Sequence, residues 1–264
     1  ALGVDTRMLT GAEVAARITG AATPWAGALF TPSDARAEPW MAVPLLAQGA
    51  ITRGAVIVEG CAVRALDLAA GRIAGVITER GRIACSRVVV AGGAWSSLFL
   101  RAHGMAIPQL SVRATVAATE PMAEVFAGAA ADNDLAFRRR ADGGYTLAPG
   151  SGHDLHFGPD AFRNFAAYLP DLTRNTRTTS FRPAAPRGYP DAWSTPRRWD
   201  ADRASPFESL RILDPAPNAA RLSLLQDAFA RTFPALGRPR LKAAWAGMID
   251  TMPDAVPVVD HAPI

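Results

Sequence analysis

The first place in the sequence where chemistry can be anchored is an apolar run that ends in paired glycines. Val88-Val89-Val90 leads into Ala91-Gly92-Gly93-Ala94-Trp95-Ser96-Ser97, which reads as a strand, a tight turn and the start of a helix of about two turns. In an open α/β sheet such a junction is where ligands bind, because backbone can approach closely and amide donors point outward. The run is not the G-x-G-x-x-G fingerprint, and its spacing reads equally well as a turn that only links strand to helix. Asp250 and Asp254 read either as acidic groups of a site or as turn caps in a proline-rich loop. Arg138 and Tyr145 are positioned for substrate contact or for an ordinary surface role. His153 and His156 form an H-x-x-H pair without a third ligand nearby, and Cys61 and Cys85 have neither metal-site nor disulfide-framework spacing. No metal is expected, and the thiols fit a cytoplasmic protein with free, buried cysteines.

The elements that must position these groups follow from periodicity. Thr10 through Ile18 reads as a short helix capped by Thr10 with Glu13 as its capping-box partner. Ala26–Phe30 reads as a strand, and Trp40–Arg53 as a helix with Pro44 in its first turn. From Ala55 the period changes to that of strands: Ala55–Val58 and Ala62–Leu66 are extended, and Ile73–Thr78 pairs back as a hairpin across Ala69–Arg72. The continuous run Val88–Val90 is expected to be buried on both faces of a parallel sheet. Arg113–Ala118 and Tyr145–Ala148 belong to a second sheet, Asp160–Leu169 is amphipathic, and Leu222–Phe233 is a helix. Leu241–Gly247 is strand-like, and Asp250–Pro257 is a loop. Thr173–Pro217, rich in Pro, Arg, Asp, Ser and Trp, carries no assignable pattern.

Composition narrows the class. At 264 residues and 49% hydrophobic, the chain can fill the core of one large or two modest domains. No stretch approaches the roughly 20 apolar residues of a membrane span. The net charge is only +4, and Arg138–Arg140 and Arg197-Arg198 read as solvated faces or anion contacts, so no nucleic-acid partner is expected. The lack of an initiator Met suggests an internal piece of something longer.

The order of the segments adds a resemblance. Gly54-Ala55, Cys61-Ala62-Val63, Gly71 to Thr78, Gly81-Arg82-Ile83 and Val88 to Trp95 together resemble the FAD-dependent D-amino-acid oxidase and glycine or sarcosine oxidase superfamily. Trp245 to Asp254, continuing to Pro257-Val258-Val259, looks like that family's late segment returning to the flavin, and Asp34–Pro39 like its loop before a helix of the cofactor domain. The likeness covers residues 23–118 and 226–264 and is loose between them.

The resemblance implies an α/β fold of mixed α+β character. Residues 49–105 and 241–264 would form part of a glutathione-reductase-like FAD domain, 23–48 and 106–240 a mixed-sheet substrate domain, and 1–22 a connecting helix. Ala62, Val63, Ala91, Gly92, Gly93 and Trp95 would lie along the adenosine side of FAD, by backbone contact at Ala91 and Gly92 and with the Trp95 ring packed as core. Gly247 and Asp254 would lie near the flavin. Gly247 stands where covalent-flavin relatives have a cysteine, which implies noncovalent FAD. Ile249 stands where glycine-oxidase relatives have an arginine for the substrate carboxylate, and Ile249, Asp250, Tyr145 and Arg138 are the implied substrate contacts. The implied activity is oxidation of an amine or amino acid at its C–N bond by hydride transfer to flavin, as oxidase or dehydrogenase. The rival is a non-catalytic truncated relative acting in binding or assembly. The family's phosphate-cradling loop and its final glycine-rich segment are expected outside the chain, so the chain alone is expected to hold little FAD. Gly92 is expected to lie too close to the cofactor for a side chain, so that Gly92→Val weakens flavin retention much more than Gly75→Val, which lies in a hairpin strand.

Overall fold

The structure, a computed structural model, describes residues 3–174 and 179–263. Along the chain lie β1 (Arg7–Thr10), α1 (Gly11–Ala15), β2 (Gly27–Phe30), α2 (Pro39–Thr52), β3 (Val63–Ala69), β4 (Arg72–Thr78) and β5 (Gly81–Ala84). A 3₁₀ turn at Gly93–Trp95 opens α3 (Ser96–Ala102), followed by β6 (Leu110–Thr119), β7 (Ala129–Ala131), β8 (Leu135–Arg139), β9 (Tyr145–Pro149) and β10 (His153–His156). Then come α4 (Pro159–Arg163), α5 (Phe165–Arg174), β11 (Thr179–Arg182), α6 (Pro206–Ser209), α7 (Ala219–Thr232) and β12 (Leu241–Thr251). This is a mixed α/β fold with several sheets, the class expected from the sequence. No described helix is long and apolar enough to cross a membrane. Packing divides the chain into one unit of residues 1–57, 115–151 and 216–246 and a second of 58–114, 152–215 and 247–264.

In the first unit, β1 pairs antiparallel with β2, so residues 1–22, expected as a connecting helix, also hold a strand. Thr10 caps α1 by the capping box read from sequence: its hydroxyl accepts from Glu13 N at 3.3 Å, and its N–H donates to Glu13 Oε2 at 2.8 Å. Strands β7, β8 and β9 are antiparallel neighbours, with Phe137 opposite Leu147. Because side chains alternate along a strand, Leu135, Phe137, Tyr145 and Leu147 share one face, and α7 lays Leu225, Ala228 and Phe229 against it.

That alternation sends two expected substrate contacts to opposite faces. Tyr145 is 0% exposed, and its hydroxyl accepts from Val125 N at 2.9 Å and Phe126 N at 3.2 Å. A ring on the core face has no surface to offer a substrate. Arg138, on the opposite face, donates to Ala37 O at 2.8 Å and Glu38 Oε2 at 3.3 Å, so its fork ties down the residues that lead into α2.

In the second unit, β3, β4 and β5 form the expected antiparallel meander. Ala55–Val58 is not a strand. Val88–Val90, expected as a buried parallel strand, pairs with no strand among the described residues, and Val89 is 89% exposed. Apolar composition alone does not make a strand; the ladder partners do. The first half of β6 pairs antiparallel with β10, which pairs in parallel with β11. One face of these strands carries Leu110, Val112 and Leu155 against Ala161 and Tyr168. The other buries Asp154, held by Arg113 at 2.6 Å. His153 and His156, an odd number of strand positions apart, face opposite ways, so they cannot ligate one ion. Strand β12 runs through Thr251, so Asp250 lies on a strand where a loop was expected. In the stretch without assignable pattern, β11 and α6 form, and residues 175–178 lie outside the described residues.

Gly75 is closely packed against β5. It lies opposite Ala84, and a Cβ built on it falls 2.4 Å from Ile83 O. Gly75→Val is therefore expected to force β4 and β5 apart and cost about 1–3 kcal/mol, measured as a fall in Tm; an unchanged Tm would refute the close approach.

Candidate functional site

Two cavities lie within the second unit. The first, of about 410 Å³, is lined by Ala62, Val63, Val88 through Gly92, Trp95 and Phe99, with Phe207 and Arg211 from the α6 region. It gathers five residues that the sequence singled out from two separated segments: Ala62, Val63, Ala91, Gly92 and Trp95. Backbone N–H and C=O groups of Val88–Ala91 have no hydrogen-bond partner among the described residues, so an apolar slot is edged by free main-chain donors and acceptors. The Trp95 ring packs edge-on to Phe207 at 5.3 Å, as expected of a packing residue, and Trp199 packs on the other side of Phe207 at 5.2 Å.

Charge pairs hold this wall. Glu79 accepts from Ala62 N at 2.7 Å and takes both arms of Arg211 at 2.7 Å. The Arg211 guanidinium, followed by the Ala62 amide, holds the Glu79 carboxyl at about 2, well below the ordinary 4.5. Arg64 grips Glu208 with two bonds of 2.9 Å and likewise holds it at about 2. Glu208 closes a capping box with Ser205, which fixes α6 and so presents Phe207 to the cavity. Phe207 and Arg211 were missed from the sequence. The Ser205-x-x-Glu208 capping signature was the available signal.

The second cavity, of about 550 Å³, is lined by Leu110, Val112, His153, Leu155, Phe157, Phe165, Tyr168 and Thr179, together with Ile249–Met252 and Ala255–Val258. It gathers the predicted Ile249 and Asp250. The His153 ring meets the Thr179 hydroxyl at 3.1 Å, and the Tyr168 hydroxyl lies 2.8 Å from Pro108 O.

The turn at Gly92–Gly93 lies at the first cavity and near Asp250 of the second. Gly92 lines the first, and a Cβ on Gly93, which has φ 54°, would lie 4.0 Å from Asp250 Oδ1 in the lining of the second. Gln109 Nε2 donates to Gly93 O at 2.8 Å and fixes the turn. Gly247 and Asp254 are not brought into either lining: Gly247 faces open space, and Asp254 accepts from Val256 N at 3.1 Å as a turn cap. Among the described residues no cluster of three or more His, Cys, Asp or Glu could hold a metal ion.

The model of one family, described as FAD dependent oxidoreductase, matches residues 1–264. The chain belongs to this family. It is 38% identical over 87 residues to a D-amino acid dehydrogenase of Rhizobium johnstonii, covering 33% of this chain and 21% of that protein. It is 32% identical over 99 residues to the mitochondrial sarcosine dehydrogenase of Mus musculus, covering 36% and 11%. Among solved structures, the L-amino acid deaminase from Proteus myxofaciens in complex with anthranilate superposes with a TM-score of 0.88 at 28% identity, covering 98% of this chain and 57% of that one. The chain thus spans little more than half of that structure and about a fifth of the dehydrogenase.

The charge pairs of the first cavity set an acid limit. Because Glu79 titrates lower in the folded protein than in the unfolded chain, its contribution to stability is complete above pH 4.5 and is lost as pH falls toward about 2. Over that range the Tm of the parent protein should fall more steeply than that of Glu79→Gln. Parallel curves would show that the pair does not anchor the wall.

Proposed function

We propose that the protein is a FAD-dependent oxidoreductase that oxidises an amine or amino acid at its C–N bond, with FAD held noncovalently. The observation that carries this reading is the first cavity, where Ala62, Val63, Ala91, Gly92 and Trp95 converge. The residues fit an adenosine: an apolar slot within the usual 300–1,000 Å³ of ligand pockets, edged by unpaired main-chain groups that can bond a purine or ribose. Val63, Val88, Phe99 and Phe207 would enclose the adenine. The second cavity, across the Gly92–Gly93 turn, would take the reacting end of the ligand and the substrate. When bound, FAD supplies the hydride acceptor.

The chain's own groups orient the reactants and exclude water. Phe157, Phe165, Tyr168 and Ile249 would press the substrate's apolar part into the second cavity, and Asp250 would meet its nitrogen. The expected division into cofactor segments 49–105 and 241–264 and substrate segments 23–48 and 106–240 is kept as part of this proposal. Family membership supports it over a non-catalytic role, which no observation favours. Oxidase and dehydrogenase chemistry are both compatible with it.

Gly92 tests the cofactor position. It has φ −82°, and a Cβ on it meets nothing nearer than the Ser96 hydroxyl at 3.4 Å, so Gly92→Val is expected to fold normally. If the cavity holds adenosine, that variant made in the full-length protein should bind FAD roughly tenfold or more weakly, read from flavin retained after desalting. Full retention with an unchanged Tm would remove the cofactor from this cavity.

A further inference from the structure

The second cavity has a charge pattern that bears on the substrate class, on the reading that this cavity is the reacting site. Among the described residues that line it, Asp250 is the one acidic residue, and there is no lysine or arginine. The rest of the lining is apolar and aromatic apart from His153, Tyr168 and threonine hydroxyls. Among the described lining residues a carboxylate finds no guanidinium or lysine ammonium in place of its water, whereas an ammonium finds Asp250.

Arg113, Arg138 and Arg140 are engaged elsewhere. Arg113 binds the buried Asp154 at 2.6 Å, on the face of β6 and β10 opposite to the one that carries Val112, Leu155 and the cavity. Arg138 pairs with Glu38, and Arg140 with Asp142 at 3.2 Å. Ile249, half exposed on β12, adds apolar surface to the lining.

We infer that the preferred substrate is a primary or secondary amine with a bulky apolar or aromatic substituent and no carboxylate on the reacting carbon. Its ammonium is bound at Asp250 and gives one proton to solvent water before oxidation. The C–H electron pair then leaves with its hydrogen as hydride to the flavin while the nitrogen lone pair forms the C=N bond. Water adds to the resulting iminium and releases an aldehyde and the amine nitrogen as ammonia or a smaller amine.

The test uses the full-length protein purified with its FAD, mixed anaerobically with matched pairs: phenethylamine against D- and L-phenylalanine, and isoamylamine against D- and L-leucine. Flavin bleaching is followed. The amine of each pair is expected to reduce the flavin at least about tenfold faster than either amino acid. Asp250→Asn should slow the amine about tenfold at unchanged FAD content, a loss typical of one charge-assisted bond. Ile249→Arg should shift the preference toward the amino acid. Faster bleaching by an amino acid in the unsubstituted protein overturns the inferred class while leaving C–N oxidation in place. Absence of bleaching by every compound, in protein that carries FAD, overturns the oxidation itself and the inference with it.

Discussion

The close turn at Gly92–Trp95 is the constraint on which the rest of the site depends. Its backbone lines the first cavity at Gly92 and turns at Gly93 through φ 54°, a conformation that favours glycine. Three contacts keep it in place: Gln109 on the Gly93 carbonyl, Phe207 against the Trp95 ring, and the Ser97 hydroxyl on the buried Asp160 at 2.9 Å. Each partner comes from a different segment, so the turn is held by tertiary structure rather than by local propensity.

Arginine is the main tool by which the second unit closes around this turn. Arg64 with Glu208 and Arg211 with Glu79 join the β3–β4 hairpin to the α6 region through two-armed bonds, a geometry that lysine cannot reproduce. The high arginine content, which in the sequence suggested surface charge, is in these cases spent on internal ties. The same holds in the first unit for Arg138, whose guanidinium serves the approach to α2.

What was legible in the sequence depended on how local its cause was. The α1 capping box, the β3–β4 hairpin, α7 and the glycine turn are set by residues a few positions apart, and all form where they were read. The convergence of Ala62 and Val63 with Ala91, Gly92 and Trp95 was legible only through resemblance to a family, since no spacing rule joins them. Val88–Val90 misled because a buried parallel strand is defined by neighbours, and none is present among the described residues. Tyr145 misled because a tyrosine on a strand advertises a polar tip, while the alternation that puts it beside Leu147 commits its ring to the core. Phe207 and Arg211 lie in a stretch with no periodicity, where position is set by ion pairs with residues over a hundred positions away.

The claim that the first cavity takes the adenosine end of FAD can be tested most directly by photolabelling the protein with an azidoadenine analogue of FAD and mapping the modified peptides. Label on Cys61–Val63 or on Val88–Trp95, and its suppression by excess FAD, is the predicted result. Label confined to the Ile249–Val258 segment or to the first unit would contradict it.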